Sequence, residues 1–246
     1  MPTDHFGPVA GGYATFRPSY PQSLFDALAS LAPSRTRAWD CGCGSGQATI
    51  ALAQHFTAVL GSDVSASQIA HAETHARVTY RVAPAHESEL PDASVDLVTV
   101  AQALHWFDVS TFHAEVKRVL VPRGVIAEWT YGLLRVPSCP PITNAVLALD
   151  ERLHAWWPPE RRHVDNNYRD LAFPFASLDA GTHTMSADWT GAQLLGFLGT
   201  WSAVTRYRAA HCDDPVDDVR AVLAEHWNTG LIRRIEWPLL IRVGRV

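Results

Sequence analysis

Cysteine is scarce in this sequence, which excludes the architectures that depend on it. The chain has only four cysteines among 246 residues, and Cys41 and Cys43 are the one close pair. A disulfide-stapled fold or a structural zinc site needs several thiols in matched pairs. We therefore expect no disulfide framework and no metal centre, and we interpret the close pair as small side chains packed in a turn. The cytoplasm is the expected compartment.

Positive charge and long apolar runs are also in short supply. Lys and Arg number 20 against 25 Asp and Glu, which gives a net charge of −5. A nucleic-acid surface usually carries a basic stripe, so no nucleic-acid partner is expected. No apolar run approaches the length of a membrane span, and the first residues lack the basic and apolar regions of a signal peptide. We therefore expect no membrane attachment.

Apolar residues, by contrast, are abundant and follow an alternating pattern of strands and helices. They make up 47% of the chain, enough for a substantial core. Short runs typical of buried parallel strands alternate with segments of helical periodicity. The predicted strands are residues 36–39, 58–61, 78–82, 95–100 and 125–129. This order predicts an α/β fold with a doubly wound, mostly parallel sheet.

A glycine-rich turn follows the first predicted strand. Gly42, Gly44 and Gly46 alternate with other residues, and Gln47 stands where a dinucleotide site would have its third glycine. Asp40, at the strand end, would repel a pyrophosphate but suits a ligand with a cationic amine. The pattern favours S-adenosylmethionine, which carries an ammonium, a sulfonium and no phosphate. A dinucleotide site and a plain structural turn are the alternatives.

A second acid, Asp63, ends the second predicted strand. In nucleoside-binding α/β folds an acid at this place accepts hydrogen bonds from ribose hydroxyls. The alternative is a helix cap, but Ser65 is the better cap because Gln68 follows it three residues later. Two acids at neighbouring strand ends therefore favour nucleoside binding.

Two histidines follow this second acid in the sequence. We predict that His71 and His75 share a face of the helix after Ser65, so a metal site has to be considered. No third ligand is apparent, and Glu73 is not in the metalloprotease position. A solvated helix face is the favoured interpretation.

The end of the fourth predicted strand carries polar and aromatic residues. In a parallel sheet the chemistry gathers at the carboxyl ends of the strands, which places Gln102, His105 and Trp106 beside a ligand. His105 could act as a general base or orient a substrate. It could equally cap the next helix or pack against Trp106.

Two aromatic segments lie outside the repeating core. Before the first helix, Tyr13 and Arg17 could belong to a lid that meets the cofactor, with Arg17 pairing a carboxylate. Between 136 and 180 an insert rich in Trp and Pro carries Arg161 and Arg162, and it could cap the substrate. In both cases the alternative is ordinary packing on the surface or the core.

Composition and periodicity divide the chain into four parts. We predict an N-terminal lid and helix at 1–35, an α/β core at 36–135, a cap insert at 136–180 and a C-terminal part at 181–246 that completes the sheet. The last strand is predicted at Trp237 to Val243 and can join by a crossover or a hairpin.

Several motifs together resemble the type 11 branch of class I S-adenosylmethionine-dependent methyltransferases. The motifs are Asp40 to Gly46, Asp63, Leu90 to Asp96, and Ala101 to Asp108. The segments Tyr13 to Pro21 and Thr200 to Ala203 are similar to trans-aconitate methyltransferase-like proteins.

This resemblance implies a seven-stranded sheet whose last strand is antiparallel. It also implies that Asp40 and the Gly42–Gly46 turn hold the methionyl part of S-adenosylmethionine and Asp63 the ribose. The Ala85-His86 loop would hold the adenine, although relatives usually carry Glu at the place of His86. Val64 and Gln102 are the remaining predicted cofactor contacts.

The predicted activity is methyl transfer from S-adenosylmethionine to a small molecule, at a hydroxyl or a carboxylate oxygen. A carboxylate acceptor needs only a cation to hold it, such as Arg17, Arg161 or Arg162, whereas a hydroxyl needs a base, for which His105 is the candidate. The alternatives are a non-catalytic cofactor-binding module, an RNA methyltransferase and a nicotinamide-dependent oxidoreductase. The chain is expected to be a monomer or a homodimer.

Overall fold

The computed structural model describes residues 18–246, which form a sheet covered by helices. The predicted sites Tyr13 and Arg17 lie outside the described residues. The strands are β1 Arg37–Cys41, β2 Ala58–Asp63, β3 Val78–Val82, β4 Val95–Ala101, β5 Leu120–Tyr131, β6 Ala176–Leu178, β7 Thr184–Trp189 and β8 Arg233–Arg245. The helices are α1 Gln22–Leu31, α2 Gln47–Leu52, α3 Ala66–Ala70, α4 Val109–Val119, α5 Pro140–Arg152, α6 Arg161–Asp165, α7 Gly191–Gly199, α8 Ser202–Ala210 and α9 Asp217–His226.

Seven strands lie along one path in the order β3-β2-β1-β4-β5-β8-β6. The first five are parallel, and β8 pairs antiparallel with β5. The thirteen-residue β8 also pairs antiparallel with β7 along its first half and with β6 at its end. The doubly wound α/β class, the seven-stranded path and the antiparallel last strand are thus confirmed.

The core lies on both faces of this sheet because successive side chains of a strand point to opposite faces. Ala38, Leu97 and Val125 pack in one buried cluster, whereas Trp39 and Val98 pack in the other. Strands buried on both sides read as continuous apolar runs, which is why the central strands were visible in the sequence.

The histidine pair is not on a helix, so that prediction is wrong. Helix α3 begins at Ser65, whose side chain accepts from the Gln68 amide as predicted, but it ends at Ala70. His71 caps the end and His75 lies beyond it in the connection to β3. Among residues 18–246, no group of His, Cys, Asp or Glu is arranged to hold a metal ion.

Other boundaries differ from the sequence prediction by a few residues. Helix α4 ends at Val119, and β5 begins directly afterwards at Leu120, before the predicted start at 125. The short β6 was not predicted, because three residues are too few to show an alternating pattern.

The insert folds as two helices with different neighbours. Helix α5 packs on α9, and α6 lies against a 3-10 turn at Leu104–Trp106 that follows β4. Every helix within residues 18–246 is too short or too polar to span a lipid bilayer.

Candidate active site at the carboxyl ends of the strands

The three glycines between β1 and α2 all have left-handed backbones, with φ of 68° at Gly42, 54° at Gly44 and 88° at Gly46. A Cβ on Gly42 would lie 2.5 Å from the Ala103 Cβ, and one on Gly46 would overlap the Tyr80 hydroxyl. A Cβ on Gly44 would meet nothing closer than a Gln68 oxygen at 3.8 Å. Two glycines are therefore needed for packing, whereas Gly44 keeps an open backbone that a ligand can approach.

Asp40 lies beneath this turn rather than on its surface. Its side chain is fully buried, and the hydroxyls of Thr49 and Thr99 donate to its two oxygens at 2.6 and 2.8 Å. Burial raises its pKa to about 6, against the lowering effect of the two threonines. The sequence predicted that Asp40 helps to hold the methionyl part of the cofactor, and that contact stays a prediction; the structure shows the carboxylate buried against the two threonine hydroxyls.

Asp63 connects the turn to the end of the neighbouring strand. One carboxylate oxygen accepts from the Gly44 amide and the other from the Ser65 amide, both at 2.9 Å. The amides of Gly42 and Cys43 donate to the Ser62 carbonyl at 2.8 and 3.0 Å. Adjacent ends of β1 and β2 are thereby held together, with Asp63 half-exposed at the surface.

An apolar strip lies beside Asp63. The side chain of Val64 is 51% exposed, which is unusual for a large apolar residue next to a strand end. Ala85 is half-buried and His86 is exposed in the loop after β3. Val64 and Ala85 thus offer apolar surface for a flat base, while His86 faces solvent.

Gln102, at the end of β4, has a strained backbone. Its φ of 58° is rare for a residue with a side chain, and such conformations cost about 1–3 kcal/mol and cluster at functional sites. The Thr130 hydroxyl donates to its side-chain oxygen at 2.7 Å, and its own amide donates to the Trp129 carbonyl at 3.0 Å. The first contact fixes the side-chain amide of Gln102, and the second fixes its backbone at the end of β4.

His105 is held in the 3-10 turn by aromatic neighbours. Its Nδ1 lies 3.1 Å from the Tyr168 hydroxyl, and its ring centroid lies 4.8 Å from that of Trp106. Burial lowers the pKa of His105 to about 3, and the charges of Arg161 and His163 act in the same direction. The imidazole is therefore neutral at pH 7 and only weakly basic, which counts against the predicted base role.

Tyr168 is a site residue that the sequence did not indicate. It is 1% exposed, and both it and Asn167 have left-handed backbones, with φ of 58° and 57°. Burial raises the pKa of Tyr168, and an interaction with the Thr130 hydroxyl opposes that rise. It comes from the insert, far from the core motifs in sequence, and no local pattern could have placed it at His105.

Arg161 and Arg162 have different environments. The Arg161 guanidinium lies 4.3 Å from the centre of the Trp157 ring, and its Nε donates to Asp165 at 2.9 Å. The Arg161 side chain is 20% exposed, its Nη2 lies 3.9 Å from an Asp150 oxygen, and its helix α6 contacts the 3-10 turn of His105. Arg162 is exposed, and nothing in its surroundings ties it to the site.

These residues fit S-adenosylmethionine. The open backbone at Gly44, the acid at the end of β2 and the exposed apolar Val64 line one edge of the sheet. A buried carboxylate lies beneath the turn, where a phosphate would be repelled and a cation favoured.

Comparison with known proteins agrees with this geometry. A family model described as a methyltransferase domain, type 11, matches residues 39–127. A Dictyostelium discoideum protein named as a putative methyltransferase is 33% identical over 233 residues, which covers 92% of this chain and 87% of that protein. A probable S-adenosylmethionine-dependent methyltransferase of Saccharomyces cerevisiae is 34% identical over 128 residues, 48% of this chain and 44% of that protein.

A solved structure extends the likeness over nearly the whole chain. The protein, from Anaeromyxobacter dehalogenans, is described as a putative type II methyltransferase. It superposes with a TM-score of 0.88 at 46% identity, and the match covers 94% of this chain and 98% of the other. The chain therefore belongs to the class I S-adenosylmethionine-dependent methyltransferases and is an enzyme of that family.

Proposed function

We propose that this methyltransferase acts on a small molecule that carries a carboxylate, and that it methylates a carboxylate oxygen. The observation that carries the proposal is the placement of Arg161: this cation stacks on Trp157, and its helix α6 lies against the 3-10 turn of His105. The segments that resemble trans-aconitate methyltransferase-like proteins point to the same acceptor class. A monomer or a homodimer would suffice for this reaction.

The cofactor would be held by the residues that line the sheet edge. The Gly42–Gly46 turn would hold the methionyl part, Asp63 the ribose, and Val64 with Ala85 the adenine, with His86 and Gln102 nearby. S-adenosylmethionine, when bound, supplies an electrophilic methyl carbon.

The N-terminal lid would complete the cofactor site. The Gln47 side chain donates to the Pro18 carbonyl at 2.8 Å, so the chain enters the described structure beside the glycine turn. This entry point supports the proposal that Tyr13 and Arg17, one residue or more before it, meet the cofactor.

On the acceptor side, the insert contributes a cation among aromatic rings. Arg161 stacks on Trp157, and Trp157 lies 5.5 Å from Trp201 between ring centroids. A guanidinium matches a carboxylate in shape as well as charge, and flat aromatic walls favour a planar acceptor. The insert at 136–180 would thus act as the substrate cap, with Trp106 facing the acceptor from below.

The state of His105 favours a carboxylate over a hydroxyl acceptor. A hydroxyl has to lose a proton during methylation, and a base is most effective when its pKa lies near the working pH. An imidazole whose pKa is lowered to about 3 is poorly matched to that role. A carboxylate is already ionised and needs only to be held and oriented, which leaves His105 to orient the acceptor by hydrogen bonding.

A methyl-release assay against a metabolite panel tests the proposal. The panel pairs carboxylic acids, trans-aconitate among them, with their amides and with hydroxyl compounds of the same skeleton. We expect turnover on acids and none on the matched amides. Turnover confined to hydroxyl compounds would refute the carboxylate assignment.

Arg161→Met tests the cation itself. Losing a charge-assisted hydrogen bond costs about 1.5–3 kcal/mol, so the KM for the acid should rise roughly ten- to a hundredfold with the affinity for S-adenosylmethionine unchanged. Arg169→Met is the matched control, since Arg169 is an exposed arginine of the same insert. Equal KM values for the two variants would remove Arg161 from the acceptor site.

A further inference from the structure

A buried ion pair fastens the insert to the sheet. Glu128 on β5 and Arg242 on β8 are directly paired across the two antiparallel strands. Glu128 is fully buried, and one of its oxygens accepts from Arg242 Nε at 3.1 Å and from Nη2 at 2.5 Å. Its other oxygen lies 2.6 Å from His113 Nε2 on α4.

The remaining nitrogen of Arg242 holds the backbone of the insert. Arg242 Nη1 donates to the carbonyl of Tyr168 at 2.6 Å and to that of Leu171 at 2.8 Å. The guanidinium also lies 4.9 Å from the centre of the Phe173 ring. The guanidinium group of Arg242 therefore joins two strands of the sheet to a single turn of the insert.

That turn is the one that brings Tyr168 to the site. Asn167 and Tyr168 both have left-handed backbones, a conformation that persists only where surrounding contacts enforce it. The Tyr168 hydroxyl lies 3.1 Å from His105 Nδ1. The hydrogen bond from Arg242 to the Tyr168 carbonyl thus acts on the residue that contacts His105.

A purely stabilising role explains this arrangement poorly. Well-packed apolar residues often stabilise a core as well as a buried ion pair does, and such pairs are retained in some proteins because they fix one conformation. A guanidinium that bonds a carboxylate and two carbonyls at once fixes the direction of a chain segment, which an apolar pair cannot do.

We propose that Arg242, held by Glu128, is a positioning residue for methyl transfer, because it sets the Tyr168 hydroxyl against His105. His105 then presents a fixed ring nitrogen to the acceptor. The effect on turnover rests on the proposed function, whereas the effect on His105 does not depend on any acceptor.

Nitrogen NMR of histidine-labelled protein provides the test. The His105 signals are assigned as those absent from His105→Asn. In Tyr168→Phe the Nδ1 signal should move because its hydrogen bond is lost. In Arg242→Lys it should move the same way, since Lys keeps the charge but its single nitrogen cannot reach both the Glu128 carboxylate and the two carbonyls of the insert. Arg245→Lys is the matched control on the same strand, where the arginine donates to the Leu31 carbonyl at 3.0 Å. A His105 signal unchanged in Arg242→Lys overturns the proposal.

Kinetics on the acceptor found by the panel give a second readout. In Arg242→Lys kcat should fall at least tenfold with the KM for S-adenosylmethionine unchanged. The double variant Arg242→Lys with Tyr168→Phe should have the same kcat as Tyr168→Phe alone, since both substitutions act through one hydroxyl. If the falls in kcat of the two single variants multiply in the double variant, Arg242 acts elsewhere and the assignment is overturned.

Folding is checked by melting and by calorimetry with S-adenosylhomocysteine. If Arg242→Lys does not fold, the pair Glu128→Gln with Arg242→Gln replaces it, because it leaves no unpaired charge buried. The same movement of the His105 signal is expected there, and an unmoved signal refutes the proposal.

Discussion

Asp40 is the residue at which burial and charge oppose each other most directly. Its carboxylate is fully buried, and the hydroxyls of Thr49 and Thr99 donate to it. Two neutral hydrogen bonds do not offset the loss of water around a full charge, which is why its pKa is raised to about 6. The turn above it therefore contains a charge that a bound cation would stabilise.

The raised pKa predicts a pH-dependent contribution to stability. Because the folded state binds this proton more tightly than the unfolded chain, the contribution of Asp40 is fully present below about pH 4 and is lost as the pH rises through about 6. Relative to Asp40→Asn, the wild type should gain about 2 kcal/mol in unfolding free energy between pH 8 and pH 4.5. Urea unfolding at both pH values measures this, with Asp188→Asn, at an exposed position of β7, as control. An unchanged difference would mean that Asp40 is not desolvated.

At the scale of the element, the glycines of the turn have different roles: Gly46 is needed for packing, whereas Gly44 leaves the backbone open to a ligand. Gly46→Ala forces a left-handed backbone and a collision with Tyr80, so it should cost about 1–2 kcal/mol for the backbone and a further 1–3 kcal/mol for overpacking. Gly44→Ala has space for its methyl group and should cost only the backbone part, but it should weaken S-adenosylmethionine because the methyl group occupies the open approach. Urea unfolding and calorimetry on both variants check this contrast. Equal affinities for wild type and Gly44→Ala would show that the ligand does not approach there.

The elements that the sequence predicted are those with local signals. The glycine spacing, the acid at the end of β2 and the apolar run of β4 each lie within a few residues, and their positions follow from chain geometry. The helix expected to carry His71 and His75 ended at Ala70, since no apolar stripe extends it. Helix ends depend on such weak local preferences and on tertiary contacts.

The site residues that the sequence missed are those whose contact partners lie far away along the chain. Tyr168 is 63 positions from His105, and Arg242 is 114 positions from Glu128. Asp40 likewise accepts from Thr99, which a different strand supplies. The pairing of β1 with β4 places Thr99 beside Asp40, and that of β5 with β8 places Arg242 beside Glu128. Such pairing partners are not encoded in any single segment.

At the scale of the whole molecule, the sheet places the predicted cofactor contacts from three strand ends on one edge. A ligand that bridges the ends of β1, β2 and β4 stabilises all of them together, so binding should appear in global unfolding. At a concentration of a hundred times its Kd, a ligand adds about 2.7 kcal/mol, and 1 kcal/mol shifts the melting temperature of a chain of this size by about 2–4 °C.

S-adenosylmethionine and S-adenosylhomocysteine should therefore each raise the melting temperature by roughly 5–10 °C under those conditions, and the reduced nicotinamide cofactor should not. Asp63→Ala should lose most of the shift, because it removes the ribose acceptor and the bond from the Gly44 amide. Asp179→Ala provides a control in the Asp179–Gly181 turn that precedes β7, where the carboxylate accepts only from a neighbouring amide. If the melting temperature of Asp63→Ala rises as much as that of the wild type, the nucleoside binds elsewhere. If the nicotinamide cofactor also raises the melting temperature, the buried charge of Asp40 does not repel a diphosphate on this turn.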